Sequence, residues 1–209
     1  MLKIMTLNTE SVKNAVPEFL KFMKFHYEEQ FKKIVIPEMK KEYHIDNDFR
    51  VPSITKVVVN IGIGRLAASS KNNTELIKRV SDALATITGQ KPSTRLAKKS
   101  IASFKTREGM PIGLKVTLRG KRMEDFIYKF VNLTIPRIRD FWGIPLKNID
   151  ETGNLNYGIK ECNVFPETAS IQNIPSFGLE VTFVTNTKNR EQSIKLYRLL
   201  NFPLWQKNQ

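Results

Sequence analysis

The chain has 209 residues, 41% of them hydrophobic, which excludes wholesale disorder and leaves enough apolar material for a real core. It carries 34 Lys and Arg against 20 Asp and Glu, a formal net charge of +14. So large an excess repels itself in a compact state and calls for a polyanion, with nucleic acid ahead of an anionic membrane surface.

Residues 1–24 read as an appended extension. Val12, Val16, Leu20 and Met23 give it a weak helical stripe, and Pro17 limits its length. It has no signal-peptide core, and it carries Glu10 and Glu18 without arginine, unlike a transit peptide. From residue 25 onward a single domain is expected. A charged helix is predicted from Phe25 to Tyr43, with Tyr27, Phe31, Ile34 and Val35 on one side and a kink or restart at Pro37. The stretch DNDFRVPS then reads as a loop.

In ITKVVVNIG, Thr55, Val57, Val59 and Ile61 alternate with Lys56, Val58 and Asn60, which predicts a strand. After a Gly-rich turn, Leu76, Ile77, Val80, Ala83, Leu84 and Ile87 recur at helical spacing, and Gly89 is the expected stop. A short strand is expected from Pro92 to Leu96. The clearest strand is Ile112 to Arg119: Ile112, Leu114, Val116 and Leu118 face one way, Gly113, Lys115, Thr117 and Arg119 the other. Met123, Phe126, Ile127, Phe130 and Leu133 mark a second helix that should end before Pro136. Residues 137–177, rich in Gly, Pro and Asn, read as irregular. Leu179, Val181 and Phe183 predict a last strand, and Ile194, Leu196, Tyr197 and Leu200 a last helix. The fold class expected is α+β: a split βαββαβ antiparallel sheet, ferredoxin-like or RNA-recognition-like, with helices on one face and further helices at the two ends.

Such a sheet leaves one face open, and Lys56, Asn60, Lys115, Thr117 and Arg119 should share it. They offer donors to phosphates, 2′-hydroxyls and base edges, although any half-exposed sheet needs polar residues. The two central strands hold no aromatic residue for stacking single-stranded bases, so a folded RNA read by backbone and shape fits better. A second basic surface runs through Lys91, Arg95, Lys98, Lys99, Lys105 and Arg107 and continues in Lys121 and Arg122, with Glu108 its one acid. Ile101, Phe104, Met110 and Pro111 interrupt it, which predicts a partly structured loop with an apolar tip.

Catalysis has little support. The histidines are His26 and His44 alone, with no partner motif nearby. Cys162 excludes an internal disulfide framework and a cysteine zinc cluster, and reads as a small buried hydrophobe. No cofactor and no metal site is expected. Gly62-Ile-Gly64-Arg-Leu-Ala67 matches a dinucleotide fingerprint in spacing, so a nucleotide-binding enzyme using Gly62 and Gly64 is one alternative, and a free RNA chaperone another. No apolar run reaches the ~20 residues of a membrane span.

The run TGQKPSTRLAKKSIASFKTREGMPIGLKVTLRGKRM, followed by PRIRDFWGI, GNLNYGIKE and FPE, strongly resembles the universal large-subunit ribosomal protein family that binds 5S rRNA, the fifth in the large-subunit nomenclature. The resemblance extends from about His26 to Leu204. It implies a non-enzymatic constituent of the central protuberance, monomeric within the ribosome and in contact with 5S rRNA, large-subunit rRNA and neighbouring proteins. Asn60, Gln90 and Thr117 match the family's uncharged RNA-contacting positions, with Lys56, Lys91, Lys115 and Arg119 beside them. The loop from Ser100 to Gly113, with Lys105, Thr106, Arg107, Glu108, Gly109 and Met110, resembles the one that reaches P-site tRNA. The stretch from Arg137 to Gly158, with Arg137, Arg139, Asp140 and Asn154, resembles the bridge to a protein of the small-subunit head. Two positions depart from the family pattern: Trp142, where a polar or basic residue is usual, and Arg65, where an acid is common. The extension and the richness in Asn, Lys, Ile and Phe point to a mitochondrial ribosome (matrix) and an organelle-encoded chain, with bacterial cytoplasm or plastid as alternatives.

Overall fold

The protein is described by a computed structural model over residues 27–64, 73–104, 106–170 and 176–205. The extension, His26, Arg65 and Lys105 therefore lie outside the described residues.

Two isoleucine–proline pairs shape the helices. The first helical segment, residues 27–43, contains a π-helical turn, Phe31–Val35, before α1 (Ile36–Tyr43), with Pro37 in the first turn of α1. The amide of Ile36 reaches back to the carbonyl of Phe31, five residues away. Pro37 has no N–H and its ring would clash with the carbonyl four residues earlier, so the widened turn accommodates it. The same device recurs at Pro136. There α3 (Lys121–Lys129) passes through a π turn, Phe130–Thr134, into a 3-10 turn, Ile135–Arg137. The expected stop before Pro136 is thus corrected: the helical path runs through Pro136 to Arg137, held by the buried Phe130 and Ile135.

The remaining helices follow their stripes. In α2 (Asn73–Thr88), Val80, Ala83, Leu84 and Ile87 are buried. Gly89, at φ +67, closes that helix by donating to the carbonyl of Ala85. In α4 (Arg190–Leu199), the Asn189 side chain accepts from the amide of Glu191 as an N-cap. Lys129 joins α3 to α2, donating to the carbonyl of Ile87 and to Glu167 at 2.8 Å.

Five strands form one antiparallel sheet in the order β2-β3-β1-β6-β5: β1 (Ile54–Gly62), β2 (Ser93–Leu96), β3 (Pro111–Leu118), β5 (Leu155–Ile159) and β6 (Leu179–Thr185). A separate parallel pair joins β4 (Ile144–Pro145) to β7 (Leu204–Trp205). The molecule is thus mixed α+β, with four α-helices and a five-stranded antiparallel sheet among the described residues.

One face of the sheet packs against α2, α3 and α4. Val57, Val59, Ile61, Leu114, Val116, Leu118, Val181 and Phe183 enter the core there. Burying one such aliphatic side chain stabilises the fold by roughly 1.5–3 kcal/mol. Phe183 sits among aromatic rings, 5.2 Å from Phe130 and 5.1 Å from Phe202 between centroids.

Two expectations are corrected here. Thr55 does not share the face of Val57: a bulge between Ile54 and Lys56 turns it outward and buries Ile54 instead. The stretch 137–177 is not wholly irregular either. Leu155, Tyr157 and Ile159 alternate with Asn156 and Gly158 in β5, which extends the sheet beyond β6.

Candidate nucleic-acid interface

The second face of the sheet carries no helix among the described residues, and its side chains are half-buried or exposed. The antiparallel register fixes who stands beside whom. Asn60 lies between Lys115 and Glu180, and Ser93 is opposite Lys115. One step along, Val58 lies between Thr117 and Thr182, and Asn156 is opposite Thr182. Lys56 pairs with Val184, and the pairing of Val57 with Leu118 sets Arg119 next to Lys56. The five residues expected to share a face are therefore together.

Their side chains differ in commitment. Thr182 donates to Asn156 Oδ1 at 2.8 Å, so that pair serves the sheet. The Asn60 amide and the Thr117 hydroxyl form no hydrogen bond among the described residues. Gln90, in the turn after α2, reaches the carbonyl of Thr117 at 3.4 Å, which brings it to the rim of the same face. Lys91 is exposed beside it.

Charge is uneven across this surface. Lys56, Lys115, Arg119, Arg95 and Lys91 lie on β1, β3, β2 and the adjoining turns, while Glu180 sits on the β6 side. A polyanion is therefore attracted to the β2-β3-β1 half. Ser93, Thr182 and Asn156 join the surface although sequence pattern does not single them out. Ser93 sits on a short edge strand whose four residues are all exposed, leaving little burial pattern to read.

The described residues of the basic loop between β2 and β3 are tied together by hydrogen bonds. The amide of Ala97 donates to Met110 O at 2.8 Å and that of Gly109 to Ala97 O at 3.0 Å, while Ile101 and Thr106 form an antiparallel bridge. Ser100 Oγ accepts from the amide of Glu108 at 2.9 Å. Gly109, at φ +78, makes the turn that no side-chain-bearing residue favours. Arg107 and Glu108 are exposed, Thr106 and Met110 half-buried, and Ile101 is 46% exposed at the tip.

The turn after α3 displays its polar residues differently. Arg137, Arg139 and Asp140 are exposed, with Asp140 at φ +52. Phe141 anchors the turn edge-on against Tyr157, and Trp142 projects outward, 82% exposed. Asn154, by contrast, is spent inside the fold. Its amide nitrogen donates to Asp150 and Thr152, and its Oδ1 accepts from the amide of Thr185. Burial pushes the Asp150 carboxyl up, but hydrogen bonds from Asn154 and Thr152 outweigh this and hold it below the usual carboxylate range. The 150–154 turn is a clamp, and its exposed parts reach outward from a fixed base.

No catalytic grouping comes together among the described residues. Among the described residues no cluster of three or more His, Cys, Asp or Glu could hold a metal ion, and no helix is long and apolar enough to cross a membrane. Cys162 is fully buried, as a small hydrophobe would be. Both sheet neighbours of β1, the strand leading into Gly62 and Gly64, are antiparallel, whereas a dinucleotide fold places a parallel strand beside it. The nucleotide-enzyme alternative is corrected on that ground.

Comparison with known proteins agrees with this geometry. Residues 47–107 match the family described as Ribosomal protein L5, and residues 111–204 match the C-terminal part of the same ribosomal family. Strands from both stretches interleave in the one sheet. The chain is 47% identical over 175 residues to the large ribosomal subunit protein uL5 of Halothermothrix orenii, covering 84% of this chain and 96% of that protein. It is 41% identical over 184 residues to the uL5 of Thermotoga maritima, covering 87% and 98%. For the uL5 of Dictyoglomus turgidum the identity is 45% over 175 residues, covering 84% and 96%. These relatives are bacterial, and the mitochondrial origin expected from composition has no support among them. The chain belongs to the ribosomal protein uL5 family, and with it to the non-enzymatic structural constituents of the large ribosomal subunit.

Proposed function

We propose that this protein docks 5S rRNA in the central protuberance through the sheet face opposite α2, α3 and α4. The observation that carries the reading is the pair Asn60 and Thr117, uncharged donors with no partner among the described residues, set beside Lys115 on the two central strands. Lys56, Lys91, Lys115 and Arg119 neutralise phosphates, and Asn60, Gln90 and Thr117 fix the register on the RNA. The strands β2, β3, β1 and β6 with α2 and α3 act as a split βαβ unit, and β5 widens its platform. The hydrogen-bonded loop with Thr106, Arg107, Glu108, Gly109 and Met110 reaches P-site tRNA. The exposed turn with Arg137, Arg139 and Asp140, anchored through Phe141 on Tyr157, meets a protein of the small-subunit head together with the exposed parts of the turn that contains Asn154. Large-subunit rRNA and neighbouring central-protuberance proteins complete the surroundings of a single copy.

Binding of the purified protein to 5S rRNA across a salt series tests the phosphate part. Replacing Lys115 and Arg119 together by alanine is expected to reduce the slope of log Kobs against log[salt] by roughly 1.5, the share of two released counterions. A slope equal to that of the wild type would show that these cations do not touch phosphate.

A further inference from the structure

The sheet face holds no exposed aromatic residue on its central strands, but the structure places one elsewhere. Phe49 is 93% exposed, the highest value among the large exposed hydrophobic residues. Single exposed apolar residues are common and need no explanation when they sit on loose segments. Phe49 does not. It occupies the 3-10 turn Asp48–Arg50, where Asn47 Oδ1 accepts from its amide at 2.9 Å and Asn47 O from the amide of Arg50 at 3.0 Å. The Asp48 carboxylate is bound by Lys40 Nζ at 2.6 Å, which ties the turn to α1 and offsets its negative charge. Behind the turn Val51 is 2% exposed, and Asn186 clamps the backbone, accepting from the amide of Ser53 at 2.8 Å and donating to Val51 O at 3.4 Å. A phenyl ring is thus held in water on a fixed base.

The surroundings identify what it waits for. Ile54 pairs with Thr185 and Val57 with Leu118, so the segment entering β1 and those leaving β3 and β6 meet at one end of the sheet. These segments bring Arg50, Lys56, Arg119 and Lys188 to that end, and none of the four forms an ion pair among the described residues. Protein docking sites bury their aromatic anchors in a packed apolar setting, whereas Phe49 has exposed polar and charged neighbours, Asp46, Asn47, Asp48 and Arg50. Stacking on a nucleobase needs one ring face and nearby cations for the phosphates.

We propose that Phe49 is a stacking finger that packs its ring on an unpaired nucleobase of ribosomal RNA at the basic end of the sheet. This rests on the reading that the protein is seated on ribosomal RNA. It adds a base contact outside the sheet face, in the loop DNDFRVPS.

The test uses the full chain with Phe49→Trp in a Trp142→Phe, Trp205→Phe background, so that position 49 holds the one tryptophan. Transcripts of 5S rRNA and of large-subunit rRNA are titrated separately. The finger predicts quenched emission at saturation with at least one transcript. It also predicts about tenfold weaker binding of that RNA for Phe49→Ala and Phe49→Leu, and wild-type affinity for Phe49→Trp. Emission unchanged at saturation with both transcripts overturns the finger while leaving the sheet reading intact. Full affinity in Phe49→Leu also overturns it, since an aliphatic side chain has no face to stack. If the wild-type chain binds neither transcript, the sheet reading falls and the finger with it.

Discussion

Gly153→Ala is expected to destabilise the fold by about 3 kcal/mol, the sum of left-handed backbone strain of roughly 1–2 and overpacking of roughly 1–3 kcal/mol. Gly153 sits at φ +82, and a Cβ there would collide with Ser193 Oγ and lie 3.0 Å from Ser193 Cβ. Ser193 is 0% exposed on α4, so it has no free volume into which to retreat. The position also cannot shift cheaply. The Tyr197 hydroxyl lies 3.2 Å from the carbonyls of Gly153 and Phe183, and Thr185 Oγ1 donates to Gly153 O at 3.3 Å. Thermal unfolding should show a midpoint lower by about 6–12 °C. Ser193→Ala alone should be close to neutral, because the Ser193 hydroxyl is buried without a partner. Combined with Gly153→Ala it should remove the collision with Oγ, and so recover most of the steric share, while the Cβ contact at 3.0 Å and the backbone share remain. A midpoint within 2 °C of wild type, roughly 1 kcal/mol or less, for Gly153→Ala would mean that the 150–154 turn is not the clamp described above.

The second large effect concerns RNA. Asn60→Ala with Thr117→Ala is expected to weaken 5S rRNA binding by about 30- to 150-fold, from roughly 1–1.5 kcal/mol for each hydrogen bond lost to the RNA. Stability should change by less than about 0.5 kcal/mol, because neither side chain bonds within the described fold. The salt slope should be unchanged, since no charge is removed. That signature separates register-fixing contacts from phosphate neutralisation: the Lys115 and Arg119 variant moves the slope, and this one moves the intercept. Unaltered affinity in a well-folded double variant would remove the sheet's centre from the interface.

Much of the site is legible in the sequence because alternation and burial agree wherever a strand has one dry face. Leu114, Val116 and Leu118 go to the core, so Lys115 and Thr117 must go outward, and the register then brings Asn60 beside them. Where local pattern and tertiary packing compete, the sequence misleads. Thr55 has the parity of Val57, but the bulge gives the buried place to Ile54, a better use of apolar area. Pro136 reads as a helix stop, yet burial of Phe130 and Ile135 carries the chain through a π turn instead. Leu155, Tyr157 and Ile159 do alternate, but Gly153, Asn154 and Gly158 around them read as turn chemistry. Pairing with β6 is what makes that stretch a strand. Phe49 is silent in the sequence for a related reason: nothing in DNDFRVPS tells a loop aromatic that folds inward from one held outward. Only the hydrogen bonds of Asn47 and Asn186 make that distinction.

The most direct test of the central claim places a photoreactive amino acid at position 115 of the full chain and assembles it into large ribosomal subunits. Irradiation followed by identification of the crosslinked RNA should return 5S rRNA as the main product. Crosslinks confined to large-subunit rRNA or to protein, with none to 5S rRNA, would contradict the assignment of the sheet's open face.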